Sequence, residues 1–292
     1  MAKARALDRR RKSIRSIRKI TRTMELISTA QFKRAMDRAT AATAYTRRIT
    51  ALVGHLARSG LEVMHPLLQP RPEPKRALLL VLAANRGLCA GYNGNVVRLA
   101  VARYRELRNT LPEVRLEVAG KRGISAFRFR KIQPDESFTH FEDKPSFAEV
   151  DVLASRYLTD FGGGVLDRLD VVYTKFESAS RQQAVVETLL PLGGLEGADE
   201  ELPLGESQYE FLPSAVSILD EVVPTSFKVK LSKCFLDAAV SEQIARMVAM
   251  KAATENADGM ISQLSMSYNR ARQGQITGEL LEIIGGAEAL NE

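Results

Sequence analysis

A strand-length apolar run, Ala77–Ala83, leads into RGLCAGYNG (Arg86–Gly94), and glycines after a strand are where a backbone can approach phosphates at a helix N-terminus. That chemistry needs a spacing this chain lacks. Gly87, Gly91 and Gly94 do not make GxGxxG, no GxxxxGK[ST] occurs, and Gly120-Lys121 lacks both the earlier glycine and the following Ser or Thr. Cys89 and Cys234 stand far apart with no CxxC spacing, and His55, His65 and His140 are isolated from one another and from any HExxH pattern. Nucleophilic triads and paired glycosidase carboxylates have no local signature either. The chain reads as a mechanical or interaction part, with no catalytic residue, no metal and no cofactor.

Composition sets the class. At 292 residues, 45% hydrophobic and 26% charged, the chain has ordinary soluble-protein composition and the length of about two domains. Its two cysteines form no disulfide framework and fit a reducing compartment. No run of eighteen apolar residues is present, so no direct transmembrane insertion is expected, and MAKARALDRRRKS lacks the apolar core of a secretory signal. The opening is Arg-rich and acid-poor, as organellar transit peptides are, but the helical pattern passes through it unbroken. Residues 1–50 hold fifteen Lys/Arg against three Asp/Glu, while the remaining 242 hold twenty-seven against thirty-two, so the excess of +7 resides at one end. A basic face of this kind is a solvated helix surface or a site for nucleic acid, an anionic membrane or an acidic protein. Against nucleic acid stand the absence of Trp, only Phe32 and Tyr45 as aromatics in this segment, and no binding motif.

Two long helices must position whatever the chain presents. All eleven prolines fall between Pro66 and Pro224, which leaves the residues after Pro224 without a breaker. A helix over Thr225–Ile284 would extend roughly 90 Å, too long to bury itself in its own globule. Val240, Ile244, Met247, Met250, Ala253, Ala257, Ile261, Leu264, Tyr268 and Ala271 recur at steps of three and four. After a skip near Gly274, Ile276, Leu280, Ile283, Ala287 and Leu290 resume the pattern. A second helix is predicted from Ala2 to about Leu56, with Ile14, Ile17, Ile20, Met24, Ile27, Gln31, Ala35, Ala42, Tyr45, Ile49, Leu52 and Leu56 on its stripe. The two ends should wind into one coiled coil, with everything between them inserted at its end.

Within the insertion, LLQPRPEPK (Leu67–Lys75) is a helix-breaking linker. Strands are predicted at Ala77–Ala83, Val114–Ala119 and Asp170–Phe176, and helices through Val96–Leu107, Ile124–Phe129 and Phe147–Phe161. This alternation implies a parallel sheet covered on both faces, with Gln183–Leu190 as an added strand. Gly193–Gly205 should be an exposed acidic loop, Pro213 starts a helix over Ala215–Val222, and Pro224 breaks or kinks the passage into the final helix.

KITRTMELISTAQFKRA (Lys19–Ala35), RGLCAGYN (Arg86–Asn93), SEQIARMVAMKAATENA (Ser241–Ala257) and YNRARQGQITGELLEIIGGA (Tyr268–Ala287) resemble the gamma subunits, or central rotor shafts, of F-type ATP synthases, and the likeness covers essentially the whole chain. The resemblance implies an α/β fold plus a long coiled coil. N- and C-terminal helices would form an antiparallel left-handed coiled coil, with a Rossmann-like α/β domain inserted between them. Residues 1–60 would be one shaft helix, 70–210 the base and 211–292 the other shaft helix. It further implies three alpha and three beta subunits, an epsilon subunit and a membrane c-ring as partners, and no nucleic acid. The chain, not catalytic by itself, would couple proton flow to ATP synthesis or hydrolysis at the beta subunits, at the cytoplasmic face of a bacterial plasma membrane.

By match to the family's motifs, Met24 and Arg246 in the lower shaft and Gln273 and Thr277 in the upper shaft would touch the alpha/beta ring. Leu280, Ile283, Ile284 and Leu290 would form an apolar bearing tip, and Arg86, Gly87 and Leu88 the base contact with the c-ring and epsilon. Asn85 stands where the family usually has an acid, Ala90 replaces a glycine, and Gly274 and Gly278 stand where Ala and Gln are common. The inserted regulatory dithiol of the chloroplast type has no counterpart, so no thiol switch is expected. The competing reading is a basic coiled-coil adaptor or nucleic-acid-associated protein carrying an α/β module.

Overall fold

The computed structural model describes residues 2–58, 65–69, 71–141, 145–192 and 215–289. Leu290, Pro213 and the expected acidic loop lie outside them, as do the side chains of Tyr45, Ile49, Leu52 and Leu56. The elements are α1 (Ala2–Arg58), β1 (Arg76–Leu82), α2 (Tyr92–Thr110), β2 (Glu113–Ala119), α3 (Lys121–Phe129), β3 (Glu136–Phe138), α4 (Phe147–Gly162), β4 (Arg168–Ser178), β5 (Arg181–Leu190) and α5 (Ala215–Ala289). They fall into two compact units, one of Met1–Thr29 with Arg246–Glu292 and one of Ala30–Ala245.

The larger unit is built on a five-stranded sheet in the order β3-β2-β1-β4-β5. β1 is continuously apolar, as a central parallel strand buried on both faces must be, and pairs in parallel with β2 (Leu79 opposite Leu116) and β4 (Leu79 opposite Asp170). Successive side chains take opposite faces. Leu78, Leu80 and Leu82 join a cluster with α4 residues and with Val223, Phe227, Leu231, Phe235 and Ala238 of α5, whereas Ala77, Leu79 and Val81 join α2 and α3 residues. α4 starts on a capping box in which Ser146 accepts from the Glu149 backbone and Glu149 reaches back to the Ser146 backbone. β5 closes the edge antiparallel to β4 through a hairpin, so the sheet is mixed. β3, three residues pairing with Glu117–Ala119, was not expected from the sequence. Ala35 and Ala39 of α1 pack with Val240 and Ile244 of α5 and with Phe176.

Pro224 does not end the helix. α5 runs through it as one element, with Thr225 Oγ1 donating to the Glu221 carbonyl at 2.8 Å.

In the smaller unit the two helices run antiparallel, since partners pair low numbers with high. Arg11 lies 4.6 Å over the Tyr268 ring, Arg18 ion-pairs with Asp258, and the hydroxyls of Thr21 and Thr254 are 2.8 Å apart. The inward positions of α5 are Met250, Thr254, Ala257, Ile261, Leu264, Tyr268, Ala271, Gln275 and Gly278, an unbroken alternation of four and three. The expected skip to Ile276, Leu280 and Ile283 does not occur in the packing: these are exposed, and a glutamine and a glycine occupy the seam instead. On α1 the inward residues include Leu7, Ile14, Thr21, Glu25 and Ser28, while Ile17, Ile20 and Ile27 of the expected stripe are exposed, with Leu26 beside them. The cause is the side-chain size at the interface. Thr21, Ser28 and Thr254 are buried and small, and they let the helices meet on a face one step away from the branched apolar residues.

Candidate functional site

No cluster of three His, Cys, Asp or Glu among the described residues is placed to hold a metal, and no helix among them is long and apolar enough to cross a membrane. What the fold offers is surface. Three groups of residues carry it, two on the smaller unit and one on the larger.

The first group is Met24, Arg246, Gln273 and Thr277. Gln273 and Thr277 are exposed, Met24 is half-buried, and Arg246 is 5% exposed. The long guanidinium side chain is thus covered within the chain rather than displayed, which the motif did not reveal. Near the start of α1 a groove is lined by Ala4, Arg5, Asp8, Arg9, Tyr268, Arg272, Gln275 and Ile276. Its single acid is occupied: Asp8 meets Lys12 at 3.0 Å and Arg11 at 2.7 Å, and those bonds hold its carboxyl below the ordinary range. The surface left is basic.

The second group is the end of α5. Leu280 is 53%, Ile283 68% and Ile284 59% exposed, alongside Leu281. Arg11 lies opposite Tyr268, and Ala4 and Arg5 share a groove with Gln275 and Ile276, so this stripe lies past the first residues of α1. Ile17, Ile20, Leu26 and Ile27 of α1 are exposed as well. That outward stripe on α1 is the feature that reading the sequence misassigned, and the signal for it was the run of small hydroxyl residues Thr21 and Ser28 on the neighbouring face.

The third group is the loop after β1. Arg86 and Leu88 are exposed and Gly87 is half-buried. Leu88 (φ 63) and Ala90 (φ 47) sit in the left-handed region, which costs an L-residue about 1 kcal/mol or more. Two asparagines hold the loop in that shape. Asn93 Oδ1 accepts from the Ala84 backbone at 2.9 Å, and Asn85 Oδ1 accepts from the Lys121 N–H at 3.0 Å at the start of α3. Asn85 Nδ2 donates to the Phe141 carbonyl at 2.7 Å, a role a carboxylate could not take. The first N–H of α3 is thereby met by a side chain, whereas α2 starts after Gly91 with no side-chain cap. Tyr92 fixes the loop to α5 by donating to the Ala238 carbonyl at 3.1 Å, and Ala84, Cys89 and Tyr92 pack on Ala245. The loop thus lies at the end of the sheet away from Leu67 and Leu192, whose backbones meet near the first residues of β4.

A family model described as ATP synthase matches residues 3–290. The ATP synthase gamma chain of Rhodopirellula baltica is 60% identical over 294 residues, covering 99% of this chain and 99% of the relative. That of Leptospira biflexa is 38% identical over 291 residues, with 100% of each chain covered. Among solved structures, a chain of the Euglena gracilis mitochondrial ATP synthase in rotational state 3 is similar in fold, with TM-score 0.67 at 20% identity, covering 99% of this chain and 95% of that one. A basic adaptor or nucleic-acid-associated protein finds no support among these relatives. The chain belongs to the ATP synthase gamma chain family.

Proposed function

We propose that this chain is the central-stalk gamma subunit of an F-type ATP synthase, not catalytic by itself, which couples proton flow through a membrane c-ring to ATP synthesis or hydrolysis at three beta subunits. The observation that carries the reading is full-length identity of 60% to a gamma chain. The outward apolar stripes of α1 and α5 support it, because they suit helices enclosed by other subunits. In this reading the complex sits at the cytoplasmic face of a bacterial plasma membrane.

The mechanism follows from asymmetry and stiffness. Two helices tied by Arg18–Asp258 and Thr21–Thr254 resist twisting where one helix would not. A single asymmetric rod within a threefold ring of alpha and beta subunits presents a different face to each beta subunit. Such differential contact is the condition for shifting three chemically identical sites to different affinities. Met24, Gln273 and Thr277 supply contacts to the ring, Arg246 being covered within the chain, and Leu280, Ile283 and Ile284, with Leu290 beyond the described residues, form the bearing tip. Arg86, Gly87 and Leu88, on the loop beside Ala245, form the base contact with the c-ring and epsilon.

Gln273→Ala tests the ring contact without disturbing the fold, because the side chain is exposed. Losing one polar contact of about 1 kcal/mol at the ring should slow coupled synthesis roughly five-fold, and combining it with Thr277→Ala, also at an exposed position, should slow it further. Undiminished synthesis by the double variant in assembled membranes would count against these residues as contacts.

A further inference from the structure

The geometry points to the C-terminal tip of α3 (Arg128, Phe129, Arg130 and Lys131) as a docking point for an anionic lipid surface. Phe129 is 87% exposed, the barest large apolar side chain among the described residues. The three cations around it are exposed as well. One cation in the last turn would suffice to complement the helix dipole. Here there are more, and Lys131 stands at φ 59, a position where glycine usually ends a helix. α2 packs on the same face of the sheet and also runs back against the strands, which brings exposed Arg105 and Arg108 to this end. The acids nearby are mostly engaged: Glu106 pairs with Arg103 at 2.7 Å and Asp135 accepts from the Leu116 N–H at 2.7 Å, which leaves exposed Glu113.

The shape of the patch chooses between occupants. A protein partner would need a contiguous surface of roughly 1,000 Å² with an apolar centre, and no second large apolar residue among the described residues of α2 or α3 is exposed. A lone ring among cations suits a bilayer interface instead, with the phenyl group entering the headgroup boundary and the cations meeting anionic headgroups. The inference draws on the chain's membership of a membrane-bound complex but not on its rotation.

The chain contains no tryptophan, so Phe129→Trp places a single reporter at the tip. With the full chain, its emission should shift to the blue on vesicles of phosphatidylcholine and phosphatidylglycerol but not of phosphatidylcholine alone, and the shift should fade at high salt. Adding Arg128→Gln or Lys131→Gln should raise the vesicle concentration required about five-fold per cation removed. Emission that stays water-like while the chain sediments with anionic vesicles would assign binding to α1 and overturn the proposal. An equal shift on neutral vesicles, or a shift only with purified epsilon subunit, would overturn it too. Since the assay reads the chain alone, its failure would leave the rotor reading standing.

Discussion

Gly120→Ala should abolish the folded base. Gly120 joins β2 to α3 at φ +99, and a Cβ there would lie 2.0 Å from the Ala83 carbonyl oxygen and 2.5 Å from its carbon. Those atoms are backbone at the end of β1, and they cannot rotate away. Ala83 donates to Ala119, Gly120 to Phe138 and Arg122 to Ala84, so moving the turn breaks the joint of β1, β2 and β3 at once. A steric conflict with a strained φ and several lost backbone bonds exceeds about 4 kcal/mol, the range reserved for exceptional substitutions. The expected readout is loss of the soluble chain or of its cooperative unfolding. A variant that melts within a few degrees of the parent would show that the turn can relax.

Asp170→Ala should be nearly as damaging, for an electrostatic reason. Asp170 is fully buried on β4, and its carboxylate meets Arg103 at 2.8 Å, Arg168 at 2.9 Å and the Thr188 hydroxyl at 2.8 Å. These partners come from α2, β4 and β5, so one side chain ties three elements. Removing it takes away the carboxylate that lies between the Arg103 and Arg168 guanidinium groups. Breaking a buried pair from one side costs about 3–5 kcal/mol, or roughly 10 °C in thermal midpoint for a domain of this size. Asp170→Asn should lose less, since the amide oxygen still accepts from an arginine or Thr188. Equal loss in both variants would mean that shape rather than charge is what matters there.

Much of this architecture was legible because it rests on local pattern. The apolar run of β1, the proline-rich boundary and the proline-free ends each have one physical meaning. The misreadings share a different cause. Ile17, Ile20, Met24 and Ile27 keep heptad spacing, and sequence shows that such a stripe must be covered but not by what. The chain covers Thr21 and Ser28 instead, and sends most of the apolar stripe outward. At the end of α5, Gln275 and Gly278 hold the seam, and Leu280 and Ile283 lie past the first residues of α1. Arg246 reads as a surface cation in any pattern, and only the fold shows it buried. β3 escaped because three residues on a sheet edge carry no periodicity.

Thr21→Cys with Thr254→Cys tests most directly whether the two ends of the chain act as one body. The parent hydroxyls are 2.8 Å apart, and the native Cys89 and Cys234 are buried and will not compete. In the assembled enzyme, oxidation should link α1 to α5 and leave ATP hydrolysis and proton-coupled synthesis near their reduced rates, because helices that turn together lose nothing by being joined. A disulfide that fails to form, or one that stops turnover until reductant is added, would contradict the account.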